Sequence, residues 1–175
     1  GRPNLDANLY FPGDARSLRL FAVANADGLT TGEARTYTIT IPPGAQELRA
    51  TLVWFDAEGS PGAALALVND LDLTVSDGLS TFRGNVFDGT GASVTGGVAD
   101  ARNTVEQVRL PAPAAGAATI TVTASSVPGN GRSNTARQGY ALVVSAGTCA
   151  TAVVAAPTGL AAAANAVAGA DLTFT

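Results

Sequence analysis

The sequence predicts an all-β protein: an antiparallel β-sandwich or jelly roll of about eight strands, with a C-terminal linker or an extra strand pair. Short segments of alternating apolar and polar residues recur along the chain, and turn residues separate them at regular intervals. No segment shows the apolar repeat of an amphipathic helix. Hydrophobic residues make up 46% of the chain but aromatic residues only 6%, so Val, Leu, Ile and Ala must fill the core.

Eight segments carry the strand pattern. They are residues 17–23, 35–41, 48–55, 69–75, 79–84, 104–110, 117–124 and 139–146. Asp77-Gly78 is typical of a hairpin turn. Residues 85–103 are rich in Gly and Asp and are predicted to form one long loop, and loops of that length are usually functional or anchored.

The strand at residues 69–75 organises the chain. Three apolar members are predicted to face the core: Leu71, Leu73 and Val75. Asp70 and Asp72 project to the same side of a strand, roughly 6.5–7 Å apart. Two such carboxylates repel each other unless water, an arginine or a cation lies between them. Either this face is solvated, or it holds a positive charge.

Composition excludes several classes of function. The chain has no histidine and a single cysteine, Cys149, so it contains no Ser-His-Asp or Cys-His catalytic site, no Cys/His zinc site and no internal disulfide. Its ten basic residues are scattered and its net charge is −4, which disfavours nucleic-acid binding. No apolar run approaches the roughly 20 residues of a membrane span. Charged residues amount to only 14%, which favours a secreted protein or a domain that packs against a neighbour.

Four segments resemble one protein family. They are residues 1–7 (GRPNLDA), 52–57 (LVWFDA), 67–73 (LVNDLDL) and 100–108 (DARNTVEQV). The last three are similar to segments of the β-sandwich that follows the catalytic domain in bacterial subtilisin-like serine proteases of the oxidatively stable alkaline type. The first looks like the end of a subtilase catalytic domain. Ala101 and Thr104 depart from the family pattern.

The resemblance implies a jelly roll akin to the P domain of proprotein convertases, in a secreted, calcium-binding protein. It implies three parts: the end of a catalytic domain or a linker at 1–13, an accessory sandwich at 14–147, and a linker with truncated strands at 148–175. Residues 156–160 and 170–175 resemble the first two strands of a fibronectin type III domain. We expect a fragment of a longer precursor that does not itself catalyse a reaction and stabilises or docks on the protease domain.

Calcium requires six to eight oxygen ligands. The predicted ligands are Asp56, Asp70, Asp72, Asp100, Asn103 and Glu106. A plainer alternative is that Asn69 or Asp70 caps a turn and that Glu106 pairs with Arg102 or Arg109. Asp70, Asp72 and Glu106 also contain the elements of a glycosidase acid pair. The other functions considered are a module that binds protein substrate or carbohydrate, and a cell-surface adhesion repeat.

Overall fold

The structure is a computed structural model. It describes residues 9–10, 17–129, 136–146, 160–165 and 169–174, the last two ranges by their backbone alone. The predictions made for Cys149, for the linker that begins at residue 148, and for most of residues 1–13 lie outside the described residues. The domain boundaries stay a prediction.

The described part of residues 17–146 contains nine strands and one short 3-10 helix, at Asn25–Asp27. The strands are β1 (Leu18–Val23), β2 (Ala34–Ile41), β3 (Glu47–Val53), β4 (Asp70–Ser76), β5 (Thr81–Phe87), β6 (Ser93–Thr95), β7 (Val105–Pro111), β8 (Gly116–Ser126) and β9 (Tyr140–Ser145). Each of the eight predicted strands overlaps one of these. Gly78 has a φ of 88°, which suits the predicted hairpin turn between β4 and β5.

The strands form two antiparallel sheets. One has the order β1-β9-β3-β7 and the other β2-β8-β4-β5-β6. Among these nine strands, only β4 with β5 and β5 with β6 are neighbours both in sequence and in a sheet, so most connections cross from one sheet to the other. This is the connectivity of a jelly roll, and the predicted fold class is confirmed. A separate antiparallel pair is formed by β10 (Leu160–Asn165) and β11 (Gly169–Phe174). Strand β11 covers most of the predicted segment 170–175, whereas the predicted segment 156–160 lies outside the described residues except for Leu160, where β10 begins.

The alternating residues of both sheets meet in one apolar core. Leu71, Leu73 and Val75 of β4 are fully buried, as the sequence predicts. On the opposite sheet the buried residues are Leu48, Ala50, Leu52, Val108, Leu110, Leu142 and Val144. Trp54 is buried as well, and its indole nitrogen donates to the carbonyl of Asn69 at 2.9 Å, so it belongs to the core.

The prediction of one long loop at residues 85–103 is wrong in part. Strand β5 continues to Phe87, and the three-residue β6 pairs with it before the chain turns towards β7. Asp88 closes the turn between them, because its Oδ1 accepts hydrogen bonds from the backbone N–H groups of Thr90 and Ala92. A strand of three residues between Gly-rich turns is too short to show an alternating pattern, which is why the sequence did not reveal it.

A polar cluster lies inside the core near the start of β4. Asn69 is fully buried, and its amide donates to Oε1 of Gln138 at 2.7 Å. Gln138 in turn donates to the carbonyls of Gly139, at 2.7 Å, and Phe55, at 3.2 Å. These bonds join three loop segments around Trp54. Nothing in the local sequence at Gln138 indicated this role.

Candidate metal centre

Four acidic residues approach one another where strands β4 and β5 separate. The two strands pair from Thr74↔Arg83 to Ser76↔Thr81, and beyond Arg83 this pairing ends. The first half of β4, which carries Asp70 and Asp72, is therefore free on that side. Glu106 of β7 reaches into this gap from the opposite sheet.

Glu106 is the most deeply placed of the four, with 1% of its surface exposed. Its Oε2 accepts a hydrogen bond from the backbone N–H of Leu73 at 2.7 Å, in place of a neighbouring strand. Its Oε1 is buried and has no hydrogen-bond partner. The pKa of Glu106 is raised to about 8, chiefly by burial and also by the charges of Asp72, Asp100 and Asp70, against the lowering effect of the Leu73 hydrogen bond.

Gly84 of β5 makes room for this carboxylate. A Cβ atom on Gly84 would overlap the Glu106 carboxyl group. A larger residue in that position would displace Glu106 from the gap. Glycine inside a strand commonly marks such a close approach.

Asp70 and Asp72 extend the acidic cluster along β4. The Oδ1 atom of each is buried without a hydrogen-bond partner, while Ser125 of β8 donates to Oδ2 of Asp72. Burial, followed by the charges of Asp72 and Asp100, raises the pKa of Asp70 to about 6. The pairing of β4 with β8 shifts register between Asp70 and Leu71, as in a β-bulge, and such bulges re-aim side chains.

Asp100 differs from Asp70 and Glu106 in the direction of its pKa shift. Burial raises its pKa, but hydrogen bonds from Asn85, Asn103 and Arg102 outweigh that effect, and its pKa is lowered overall. The amides of Asn85 and Asn103 each donate to Oδ2 at 2.6 Å. The backbone N–H groups of Arg102 and Asn103 donate to Oδ1. Asn103 thus lies beside Asp100, and its assignment as a ligand stays a prediction.

Asp56 has a different local role. Its Oδ1 accepts from the N–H groups of Ala57 and Asn69, each at 2.8 Å, and its Oδ2 from that of Val68 at 2.7 Å. These bonds close the loop that leads into β4. Asp56 is not among the charges that raise the pKa of Asp70 or Glu106. Its assignment as a ligand stays a prediction.

No arginine neutralises the cluster within the described part of the chain. Arg109, one predicted partner of Glu106, pairs with Glu47 instead, and Glu33 pairs with Arg137. In the same residues, no three His, Cys, Asp or Glu side chains converge on one point as a closed metal shell does. The arrangement is therefore an open cluster of carboxyl groups that raise one another's pKa values. Three of their oxygens are buried and have no hydrogen-bond partner.

The donor set is chemically suited to a hard cation. Carboxylate and amide oxygens are the ligands that calcium prefers, and flexible geometry suits calcium better than magnesium. Buried carboxylate oxygens without partners are costly unless something positive approaches them. Asn85, Gly84 and Ser125 support the cluster but were not identified from the sequence, since none of them stands in a metal-ligand motif.

A cleft of about 620 Å³ opens beside the cluster. Apolar and polar side chains both line it: Leu65, Val86, Phe87, Val98, Asn85, Asp100 and Arg102. Val98 is largely exposed and Leu65 about half exposed. The cleft offers an apolar wall next to one acidic and one basic group.

Comparisons with known proteins do not assign the chain to a family. No family model matches the chain, and no curated protein matches it. Among solved structures, the fold is similar to the P-domain of Penaeus vannamei nodavirus, with 14% sequence identity, a TM-score of 0.30, and coverage of 75% of this chain and 96% of that chain. A similarity at that level supports no conclusion about function. In the segments that the structure describes, no helix is long and apolar enough to cross a membrane.

Proposed function

We propose that this chain is a non-catalytic, calcium-stabilised β-sandwich that serves as an accessory domain of a secreted subtilisin-like serine protease. The observation that carries the calcium assignment is the set of three buried carboxylate oxygens without partners, on Asp70, Asp72 and Glu106. Asp100 adds a fourth carboxyl group nearby. The histidine-free sequence supports a non-catalytic role.

To hold the ion, Asp70, Asp72, Asp100 and Glu106 would have to draw together around it, because no three acidic side chains in the described part of the chain converge on one point. A bound divalent cation supplies positive charge that offsets carboxylate repulsion. Because the acidic residues come from β4, from β7 and from the loop before β7, their shared ligand would tie both sheets together. Ligand binding to the folded state alone adds about 2.7 kcal/mol of stability at a hundredfold excess over the dissociation constant.

The link to a protease rests on the resemblance of residues 52–57, 67–73 and 100–108 to the family segments. Two of these segments contribute the acidic cluster, since they contain Asp70, Asp72, Asp100 and Glu106. The proposed partner is the catalytic domain of the same precursor, which the sandwich stabilises by docking. Expressing the precursor with and without residues 14–147 and measuring the half-life of protease activity at elevated temperature tests this role. Equal half-lives would contradict it.

Thermal melts in calcium, in magnesium and in excess chelator test the metal site. We expect calcium, but not magnesium, to raise the melting temperature by several degrees. Asp70→Asn should reduce that response. Asp77→Asn is the matched control, since Asp77 lies at the other end of β4, roughly 20 Å away by the strand rise, and binds only its own turn. Identical melts in calcium and chelator would rule out the site.

A second candidate is a module that binds protein substrate or carbohydrate, and the cleft beside Asp100 favours it. Retention on insoluble casein, collagen, chitin or cellulose would support this function. Val98→Asp, which places a charge on the apolar wall of the cleft, should abolish retention. If the wild-type chain is retained on none of these materials, the binding function is contradicted and the accessory role is the one proposal that remains.

A further inference from the structure

Asn85 occupies an uncommon backbone conformation next to the acidic cluster. Its φ is 59°, and it is one of two non-glycine residues with positive φ in the described part of the chain. Asparagine tolerates this left-handed region better than most residues. Asn85 sits in β5 just after Gly84, where the pairing between β4 and β5 has ended.

All three hydrogen-bonding atoms of the Asn85 amide are used. Its Oδ1 accepts from the N–H of Gln107 at 3.0 Å, and its Nδ2 donates to the carbonyl of Val105 at 2.8 Å. These two bonds reproduce, from a side chain, the contacts that a neighbouring strand would make with β7. Strand β7 is an edge strand of its sheet, so Asn85 caps part of that open edge.

The remaining hydrogen of Nδ2 goes to Oδ2 of Asp100 at 2.6 Å. One side chain therefore connects β5 in one sheet, β7 in the other, and the loop that carries Asp100. Glu106, whose carboxylate enters the cluster, lies between the two β7 residues that Asn85 binds. The position of Asp100 relative to Glu106 is thus set through Asn85.

We infer that Asn85 is the positioning residue of the metal centre: it fixes Asp100 against Asp70, Asp72 and Glu106 before any ion binds. This inference rests on the proposed calcium site and adds to it a residue that does not touch the ion. Some side chains orient a metal ligand without touching the metal themselves. Removing such a side chain commonly weakens metal affinity by about 10- to 100-fold.

Asn85→Gly removes the amide and leaves the backbone unstrained, because glycine accepts positive φ freely. We expect calcium chloride titrated calorimetrically into this variant to bind at least tenfold more weakly than into the wild-type chain. Ala112→Gly is the matched control, since Ala112 also has positive φ but lies beyond the other end of β7. It should bind calcium as the wild type does.

Hydrogen exchange of the wild-type chain in chelator provides a measurement that needs no variant. If Asn85 organises the centre in advance, the amide of Gln107 is protected without calcium, although it belongs to an edge strand. Rapid exchange of that amide would overturn the inference. So would equal calcium affinity of the wild-type chain and Asn85→Gly, while the proposed site itself would stand. A wild-type chain that binds no calcium would instead remove the proposed site and the inference together.

Discussion

The carboxylate of Glu106 on β7 accepts a hydrogen bond from the backbone N–H of Leu73 on β4 at 2.7 Å, across the two sheets of the sandwich. A side chain here takes the place of a missing strand neighbour. The same contact brings a buried carboxyl group next to Asp70 and Asp72. Where β4 separates from β5, the N–H of Leu73 needs another hydrogen-bond acceptor, and Glu106 provides it. The same separation leaves the space in which the candidate metal centre forms.

The stability of the calcium-free protein should fall as pH rises. The pKa of Glu106 is raised from 4.5 to about 8 in the folded state, so between these values the unfolded chain ionises while the folded chain retains its proton. The contribution of Glu106 to the free energy of unfolding is complete below pH 4.5 and is lost as the pH rises towards 8. Because one pKa unit corresponds to about 1.4 kcal/mol, the loss amounts to several kcal/mol. Urea unfolding in chelator at pH 5.5 and pH 8 measures it.

Glu106→Gln should remove most of that pH dependence between pH 6 and pH 8, since glutamine does not titrate. We also expect it to weaken the calcium response, because it withdraws one negative charge and one carboxylate from the cluster. Glu47→Gln is the matched control: it disrupts the ion pairs with Arg49 and Arg109 away from the cluster. A Glu106→Gln variant with an undiminished calcium-induced rise in melting temperature would contradict a ligand role for Glu106.

The buried Asn69–Gln138 hydrogen bond should contribute measurably to stability. Asn69→Ala leaves the Oε1 atom of Gln138 without its donor, and a buried polar group without a partner costs about 1–3 kcal/mol. Urea unfolding of Asn69→Ala, Gln138→Ala and the double variant gives the coupling energy. Strictly additive effects would show that the two amides do not stabilise each other.

Leu71→Ala should destabilise the sandwich by about 2–5 kcal/mol, because Leu71 is fully buried near the start of β4 and its truncation leaves a cavity. Leu79→Ala is the comparison, since Leu79 is 91% exposed in the turn after β4 and a surface change there should stay within about 0.5 kcal/mol. Chemical denaturation of both variants checks the contrast. Similar losses in the two would mean that the face assignment of β4 is wrong.

Much of the architecture was predictable from the sequence because alternation is a local property. The strict apolar–polar alternation over Leu71, Leu73 and Val75 placed those side chains in the core, and the structure confirms it. The Asp77-Gly78 turn is set by the conformational freedom of glycine, which is also local. Strand β6 escaped prediction, since three residues cannot display a period.

The grouping of the acidic residues depended on long-range contacts. Sequence alone placed Asp70 and Asp72 on one face of a strand, but only the tertiary structure brought Glu106 to Leu73, 33 positions away. Asn85 and Gly84 belong to no motif, because their roles arise from a side chain capping an edge strand and from space left for a carboxylate. Strand periodicity is encoded within a few residues, whereas the pairing of two sheets determines which distant side chains meet.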